Sequence, residues 1–362
     1  MIKIFLVESY YNGSHKTWAD GLIANSKHSF TLFNLPGRFW KWRMQGSAIT
    51  IAERINKNNL KPDIILCSSI IDLACLRSLV NYKNAKYVIY MHENQLTYPL
   101  SQYSKDNYQE LSLGYLNYKS CLSSNYVIFN SDYHQKVFLN ACVNLLKKMP
   151  DYRNINSVDK IREKSVFIPI GMDIGFLNQF ILDRKHKPTD SPTLLWNHRW
   201  EHDKNPDLFL KLITDLDAKG VDFKLNFTNI LKNDIVEKIK NNYGDKINYI
   251  GHCSNYEDYL QILFDSDIIP VTSRHDFFGL SVLEAIYMGC QPILPSDLCY
   301  REHFLSDSEQ YFYSNYEGLI QKTLLFLQKY KFKSPESDTP KILDYNWNKI
   351  IERYDNYFES IV

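Results

Sequence analysis

Export, membrane insertion and disulfide stapling each leave marks in a sequence, and this 362-residue chain carries none of them. Its first residues, MIKIFLVESYY, hold one lysine and a short apolar run that leads straight into a glycine turn. An export signal needs a longer apolar stretch and a small-residue cleavage site. Every apolar window is broken by Lys, Asp or Asn before it reaches the ~18 residues that cross a bilayer. The seven cysteines are odd in number and show no CxxC spacing, so reduced core thiols are expected rather than a disulfide framework or a zinc site. Net charge is nearly absent as well: 42 Lys and Arg face 41 Asp and Glu. That balance argues against broad coating of nucleic acid, while a local basic patch stays open. A G-x-G-x-x-G fingerprint, a fixed-period repeat and a low-complexity tail are all missing. A cytoplasmic protein without a membrane association is the expectation.

What is present is an ordinary globular composition, 44% hydrophobic, long enough for two domains with separate cores. Short Val-, Ile-, Phe- and Leu-rich runs alternate with stretches of helical period, which predicts parallel sheets with crossover helices. The expected strands are 2–9, 30–35, 63–68, 86–93, 126–131 and 165–170 in the first half. In the second half they are 193–199, 224–229, 247–253, 267–273 and 291–296. The polar, proline-bearing span LDRKHKPTDSP (182–192) reads as a linker. Two βα domains, 1–180 and 181–340, are therefore expected. The segment 341–362 ends in an amphipathic helix whose Trp347, Ile350, Ile351, Tyr354 and Tyr357 must cover something. Ligands of such sheets bind beyond the carboxyl ends of the strands, so site chemistry is expected at those ends.

Five strand ends carry candidates. ESYYNGSHK (8–16) turns through Gly13, which tolerates φ > 0, toward a helix that Ser14 can cap, with His15 next. Backbone N–H groups there suit an anion or a sugar hydroxyl, and an ordinary strand-to-helix turn would look the same. MHENQLTYP (91–99) gathers His92, Glu93 and Asn94, a cluster expected to serve a ligand, and Asn130 ends the neighbouring strand. WNHRWEHDKNP (196–206) holds Asn197, then Arg199 and Lys204 five positions apart before a helix that starts at Pro206. Two cations beside a helix N-terminus suit a diphosphate, although on this stretch alone two solvated surface charges are the better reading. In HDFFGLSVLEAIYMGCQPILP (275–295), Asp276 lies in a loop and Glu284 lies in the helix after Gly279. A glycine there lets a ligand approach the backbone, and two carboxylates can accept sugar and ribose hydroxyls. The alternative is a capped core helix with incidental acids. Finally, FWKWRM (39–44) interleaves aromatics with Arg38, Lys41 and Arg43, a mixture that can stack an unpaired base or simply pack in a core.

The 275–295 stretch resembles the E-x7-E motif of retaining GT-B glycosyltransferases of family 4, usually written EGFGLPVLEAMACGTPVI, with Asp276 in the place of the first Glu. Arg199 and Lys204 stand at that family's basic-pair spacing, and His92 at its N-domain histidine. VESYYNGSHKTWADGL, LPGRFWKWRMQGSA, YMHENQLTYPL and YVIFNSDYH narrow the likeness, over essentially the whole chain, to the tRNA-queuosine α-mannosyltransferases.

The resemblance implies a GT-B architecture of the α/β class: two Rossmann-like βα domains facing across a cleft, with the C-terminal helix packing back on the N-terminal domain. It implies transfer of α-mannose, with retention, from GDP-mannose to a hydroxyl of the queuosine cyclopentene ring at the wobble position of tRNA-Asp, without a metal or other cofactor. His92, Arg199, Lys204 and Asp276 then take catalytic roles. Gly13, Ser14, His15, Asn197, Phe278, Gly279, Leu280 and Glu284 contact the donor together with the basic pair. Arg38, Trp40, Lys41, Trp42, Arg43, Glu93, Asn94 and Asn130 face the acceptor tRNA. Two other classes remain open on sequence alone: a family 4-like transferase with another nucleotide sugar and a lipid or saccharide acceptor, and a non-catalytic nucleotide or RNA binder. The sequence gives no oligomeric state.

Overall fold

The computed structural model describes residues 1–99, 107–183, 191–229, 233–304, 308–329 and 341–362. It divides into two compact units, Met1–Asp173 with Asp344–Val362, and Ile174–Leu343.

The first unit is built on strands whose residues are buried on both faces, as a parallel sheet between helices requires. Ile64, Ile65, Leu66 and Cys67 are all fully buried. Its strands are β1 (Lys3–Tyr11), β2 (Ser29–Pro36), β3 (Ile64–Ser68), β4 (Lys86–Met91), β5 (Tyr126–Phe129) and β6 (Ser165–Phe167). They lie in the order β2-β1-β3-β4-β5-β6, all parallel. Helices α1 (Gly13–Asn25), α2 (Trp40–Asn56), α3 (Leu73–Leu79), α4 (Asn107–Ser123), α5 (Asp132–Lys147) and α6 (Ser157–Glu163) make the connections. The chain order reverses between β1 and β3, which makes the ends of those two strands the switch point where such sheets take ligands.

The second unit runs α7 (Ile174–Leu182), β7 (Thr193–Trp196), α8 (Pro206–Ala218), β8 (Lys224–Phe227), α9 (Asn233–Tyr243), β9 (Ile247–Ile250), α10 (Tyr256–Phe264), β10 (Ile268–Pro270), α11 (Leu280–Tyr287), β11 (Gln291–Pro295), β12 (Phe312–Tyr313) and α12 (Tyr316–Lys329). Its six parallel strands are ordered β12-β11-β10-β7-β8-β9, the dinucleotide-binding arrangement, with the switch point between β7 and β10. Leu194, Trp196, Phe209, Leu225 and Phe227 centre its core.

The last helix, α13 (Trp347–Ile361), belongs to the first unit. Trp347, Ile350, Ile351, Tyr354, Phe358 and Ile361 form its buried face. Tyr354 receives a hydrogen bond from the Trp18 indole at 3.0 Å, and Asp355 accepts from Lys27 N at 3.1 Å. The Trp347 ring lies where a side chain at Gly21 or Gly171 would stand, 2.3 and 2.2 Å from an added Cβ, so both positions require glycine.

Two details differ from the sequence expectation. The chain leaves the first unit after Asp173, not after residue 180, because α7 packs into the second unit: Phe176 stacks on Tyr256 at 6.0 Å, and Tyr287 donates to Asn178 at 2.5 Å. Most of the expected linker, 184–190, lies outside the described residues. The polar span drew the boundary forward, whereas the crossing has no such composition. Several strands also stop earlier than their apolar runs suggest: β4 ends at Met91 and β7 at Trp196, so the polar residues that follow leave the sheet.

Candidate active site

In the second unit the loops after β7 and β10 bring Lys204 and Asp276 together although they are distant in sequence. Lys204 Nζ lies 3.2 Å from Asp276 Oδ2, 3.0 Å from the His275 carbonyl and 3.4 Å from Asp203 Oδ2. Burial disfavours the ammonium, but Asp276 and then Asp203 outweigh it and hold its pKa above the ordinary lysine value. Burial likewise pushes the Asp276 carboxyl upward, and the Lys204 charge more than offsets this, so Asp276 stays ionised. The Tyr300 hydroxyl donates to the same Asp276 Oδ2 at 2.9 Å. Asp276 Oδ1 makes no hydrogen bond among the described residues, and the side chain is 17% exposed. An ionised, pre-oriented oxygen at the switch point is thereby open to a ligand's hydroxyl.

Gly279, with φ +75, caps α11, and an added Cβ there would stand 2.6 Å from the Tyr300 ring. Five residues on, the half-buried Glu284 accepts from the Tyr256 hydroxyl at 2.7 Å and, more weakly, from Tyr259 at 3.4 Å. Burial pushes its carboxyl up to about 7 against the two tyrosines. Asn197, just past β7, donates to the Ser281 carbonyl at 2.8 Å and to Tyr259 at 3.3 Å, which joins β7 to the Glu284 group. Its Oδ1 is buried without a partner. Arg199 is 62% exposed and faces Glu201 at 3.4 Å. Phe278 is buried with its carbonyl held by His303, and Leu280 starts α11 half-buried.

The first unit builds a second polar cluster at the ends of β1, β3 and β4. His15, on the first turn of α1, lies with Nδ1 3.0 Å from Glu8 Oε2 and Nε2 3.1 Å from Glu93 Oε2. Burial opposes its charge, yet Glu8 and Glu93 together raise its pKa well above the usual imidazole value, so the ring is an imidazolium. Ser68 donates to Glu8 at 2.9 Å and Ser69 to Glu93 at 3.3 Å. The His92 ring lies 4.1 Å from that of His15 and within 5 Å of Trp18 and Tyr90. Burial, then the His15 charge, keep His92 neutral, and its Nε2 is buried without a partner.

Glu8, His15 and His92 bring one ligand-type atom each within 4.8 Å of one another. Their geometry suits the ion pair better than a metal. The two ring centroids are 4.1 Å apart, whereas two imidazoles on a tetrahedral zinc, with Zn–N near 2.0–2.1 Å, stand roughly 5 Å apart.

Other expected residues fall in different surroundings. Asn12 caps α1, accepting from Gly13 N at 2.9 Å, while Ser14 is exposed within the helix. The cap moved because Gly13, at φ +50, is itself the first helical residue. Asn94 Oδ1 accepts from Leu96 N, Thr97 N and Thr97 Oγ1 at 3.0–3.2 Å, holding its own turn. Asn130 spends its amide on the His92 carbonyl (2.9 Å) and on His134 (2.8 Å), which fixes the backbone beneath His92.

The 39–44 segment splits between the two roles that its sequence allows. Trp40 packs with Tyr10 against Met44, Ile70, Leu113 and Leu116. Phe39 and Trp42 are 70% and 62% exposed, Arg38 sits over the Phe39 ring and Lys41 over that of Trp40, while Arg43 is half-buried.

Tyr256, Tyr259, Tyr300 and His198 escaped the sequence reading. Tyr256 and Tyr259 share a helix face at i, i+3, a detectable signal once Glu284 is suspected. Nothing in CYREH (299–303) marks Tyr300. His198 is buried beside Lys204, and burial, then that charge, bring its pKa down to about 4.

Comparison with known proteins agrees with this division. Residues 3–172 match the family model described as "tRNA-queuosine alpha-mannosyltransferase N-terminal", and residues 178–334 match "Glycosyl transferases group 1". A tRNA-queuosine alpha-mannosyltransferase of Drosophila melanogaster is 31% identical over 333 residues, covering 89% of this chain and 86% of that protein. Among solved structures, sucrose-phosphate synthase from Thermosynechococcus elongatus superposes with a TM-score of 0.70 at 12% identity, covering 100% and 99% of the two chains. A glycosyltransferase from Rickettsia africae gives 0.64 at 16%, covering 99% and 98%. At such identities these structures speak to fold alone.

Proposed function

Because the chain belongs to the tRNA-queuosine α-mannosyltransferase family, and is thus a glycosyltransferase, we propose that it transfers mannose from GDP-mannose to a hydroxyl of the queuosine cyclopentene ring at the wobble position of tRNA-Asp, with retention of the α configuration. The observation that carries the reading is the Lys204–Asp276 pair at the β7/β10 switch point, with Asp276 Oδ1 open. Lys204 and the exposed Arg199 contact the diphosphate and offset the charge that develops on it as it departs, so no metal is needed. Asp276 accepts hydrogen bonds from the mannosyl hydroxyls, and Glu284 from the guanosine ribose. The backbone at Gly279, at the start of α11, lines the donor, with the Tyr300 ring packed where a side chain would stand.

In the first unit, neutral His92 keeps an unpartnered Nε2 that can hydrogen-bond a ligand hydroxyl. In the transfer, the bond from the anomeric carbon to the phosphate oxygen breaks, and a bond to the acceptor oxygen forms on the same face. The acceptor proton passes to the departing phosphate oxygen. Exposed Phe39 and Trp42, with Arg38 and Lys41, supply aromatic faces and charge for unpaired tRNA bases and their phosphates. A tRNA acceptor places the work in the cytoplasm, and among the described residues no helix is long and apolar enough to cross a membrane.

The test is incubation of purified protein with labelled GDP-mannose, and in parallel with UDP-sugars, in the presence of queuosine-containing or queuosine-free tRNA. Label is expected only from GDP-mannose and only in the queuosine-containing tRNA. Transfer from a UDP-sugar, or to a lipid or saccharide instead, overturns the assignment.

A further inference from the structure

We propose that Tyr300 is a positioning residue for the donor sugar, acting through Asp276. This rests on the reading that Asp276 touches that sugar. The family motif carries Glu at this position, and the aspartate here is shorter by one C–C bond, ~1.5 Å. A short carboxylate in a loop has fewer ways to be aimed by its own backbone. Here two groups from outside the loop aim it: Lys204 at 3.2 Å and the Tyr300 hydroxyl at 2.9 Å both converge on Oδ2. With that oxygen saturated, Oδ1 is the one presented outward.

The same turn, Cys299–His303, grips the loop at two further points. The Tyr300 ring occupies the space beside Gly279, 2.6 Å from where a Cβ would stand. His303 Nε2 lies 2.7 Å from the Phe278 carbonyl, and only an N–H there makes a bond, so the neutral ring carries its proton on Nε2. Tyr300 is fully buried and His303 1% exposed, so neither competes with solvent. Residues 276–279 are therefore clamped from the β11 side at the carboxylate, at a carbonyl and at the glycine.

The decisive variant is Tyr300→Phe, which keeps the ring against Gly279 and removes only the hydroxyl. GDP lacks the sugar and so does not meet Asp276. Tyr300→Phe is expected to weaken GDP-mannose binding and to lower kcat for transfer by roughly tenfold, one charge-assisted hydrogen bond, while leaving GDP affinity unchanged. In an Asp276→Asn background it should add almost nothing, because the charged carboxylate that Tyr300 aims is already gone. The proposal is overturned if GDP and GDP-mannose weaken equally, if neither changes, or if the two substitutions multiply. If Asp276→Asn by itself spares GDP-mannose binding and transfer, Asp276 does not touch the sugar, and the functional reading beneath the proposal falls with it.

Discussion

Glu284 offers a prediction in which a proton reports on ribose binding. Its carboxyl, pushed up to about 7 by burial, is half ionised near neutrality. An ionised carboxylate accepts hydroxyl hydrogen bonds about twice as strongly as a neutral group, so a donor held there favours the deprotonated form. If only that form binds, the competent fraction rises from about one in eleven at pH 6 to about ten in eleven at pH 8, and affinity for GDP rises about tenfold. The terminal phosphate of GDP also titrates in this window, near pH 6, and it needs a control. Glu284→Gln preserves size and removes the titration. The expected outcome, read by calorimetry, is a tenfold steeper pH dependence in the wild type than in Glu284→Gln. At pH 8 the variant should bind GDP more weakly by ~1.5–3 kcal/mol, roughly tenfold to a hundredfold. Parallel pH curves, or equal affinities at pH 8, would refute the ribose assignment. The sign follows from the ligand: its hydroxyls bind the carboxylate form, so binding lowers the raised pKa and releases a proton wherever the empty protein still holds one.

Three further outcomes follow from the same structure. Trp42→Ala removes a ring that is 62% exposed. If it stacks a tRNA base, the acceptor KM should rise by the equivalent of ~1–3 kcal/mol with GDP affinity unchanged; an unaltered KM would return the ring to a passive surface role. The raised pKa of His15 stabilises the fold fully below the ordinary imidazole value, and that contribution is lost as pH rises through the raised value. Denaturant midpoints of the wild type should therefore fall on the alkaline side more steeply than those of His15→Gln, and identical slopes would remove the imidazolium. Trp347→Ala empties a buried site between Gly21 and Gly171 and should destabilise the first unit by ~3–5 kcal/mol in chemical unfolding. A loss under ~1 kcal/mol would mean that α13 does not hold that unit together.

Most of the architecture could be read from residue order because parallel strands buried on both faces must be apolar throughout, as in IILC at 64–67. Only the two-residue β12, Phe312–Tyr313, lacked a run long enough to register. The domain boundary was less legible. A proline-bearing polar span looks like a crossing, while the real one, after Asp173, is decided by what α7 packs against. Candidate residues with charge and fixed spacing, such as Lys204 and Asp276, do meet in the second unit. What could not be read was their support. Tyr300 and Tyr259 reach the acids across sequence gaps of 24 and 25 residues, and only tertiary packing puts a tyrosine hydroxyl beside a carboxylate. Asn94 and Asn130 carry a further lesson: polar residues at strand ends also hold turns together, with Asn94 Oδ1 spent on its own turn while its Nδ2 stays unpartnered, and the Asn130 amide spent on the His92 carbonyl and His134.

The most direct measurement of the account is nucleoside analysis of tRNA-Asp after incubation with GDP-mannose, comparing wild type with Lys204→Ala. The account predicts queuosine converted to a nucleoside heavier by one hexose that α-mannosidase removes and β-mannosidase does not, with no conversion by the variant. Unmodified queuosine after wild-type treatment, or a product that only β-mannosidase cleaves, would contradict it.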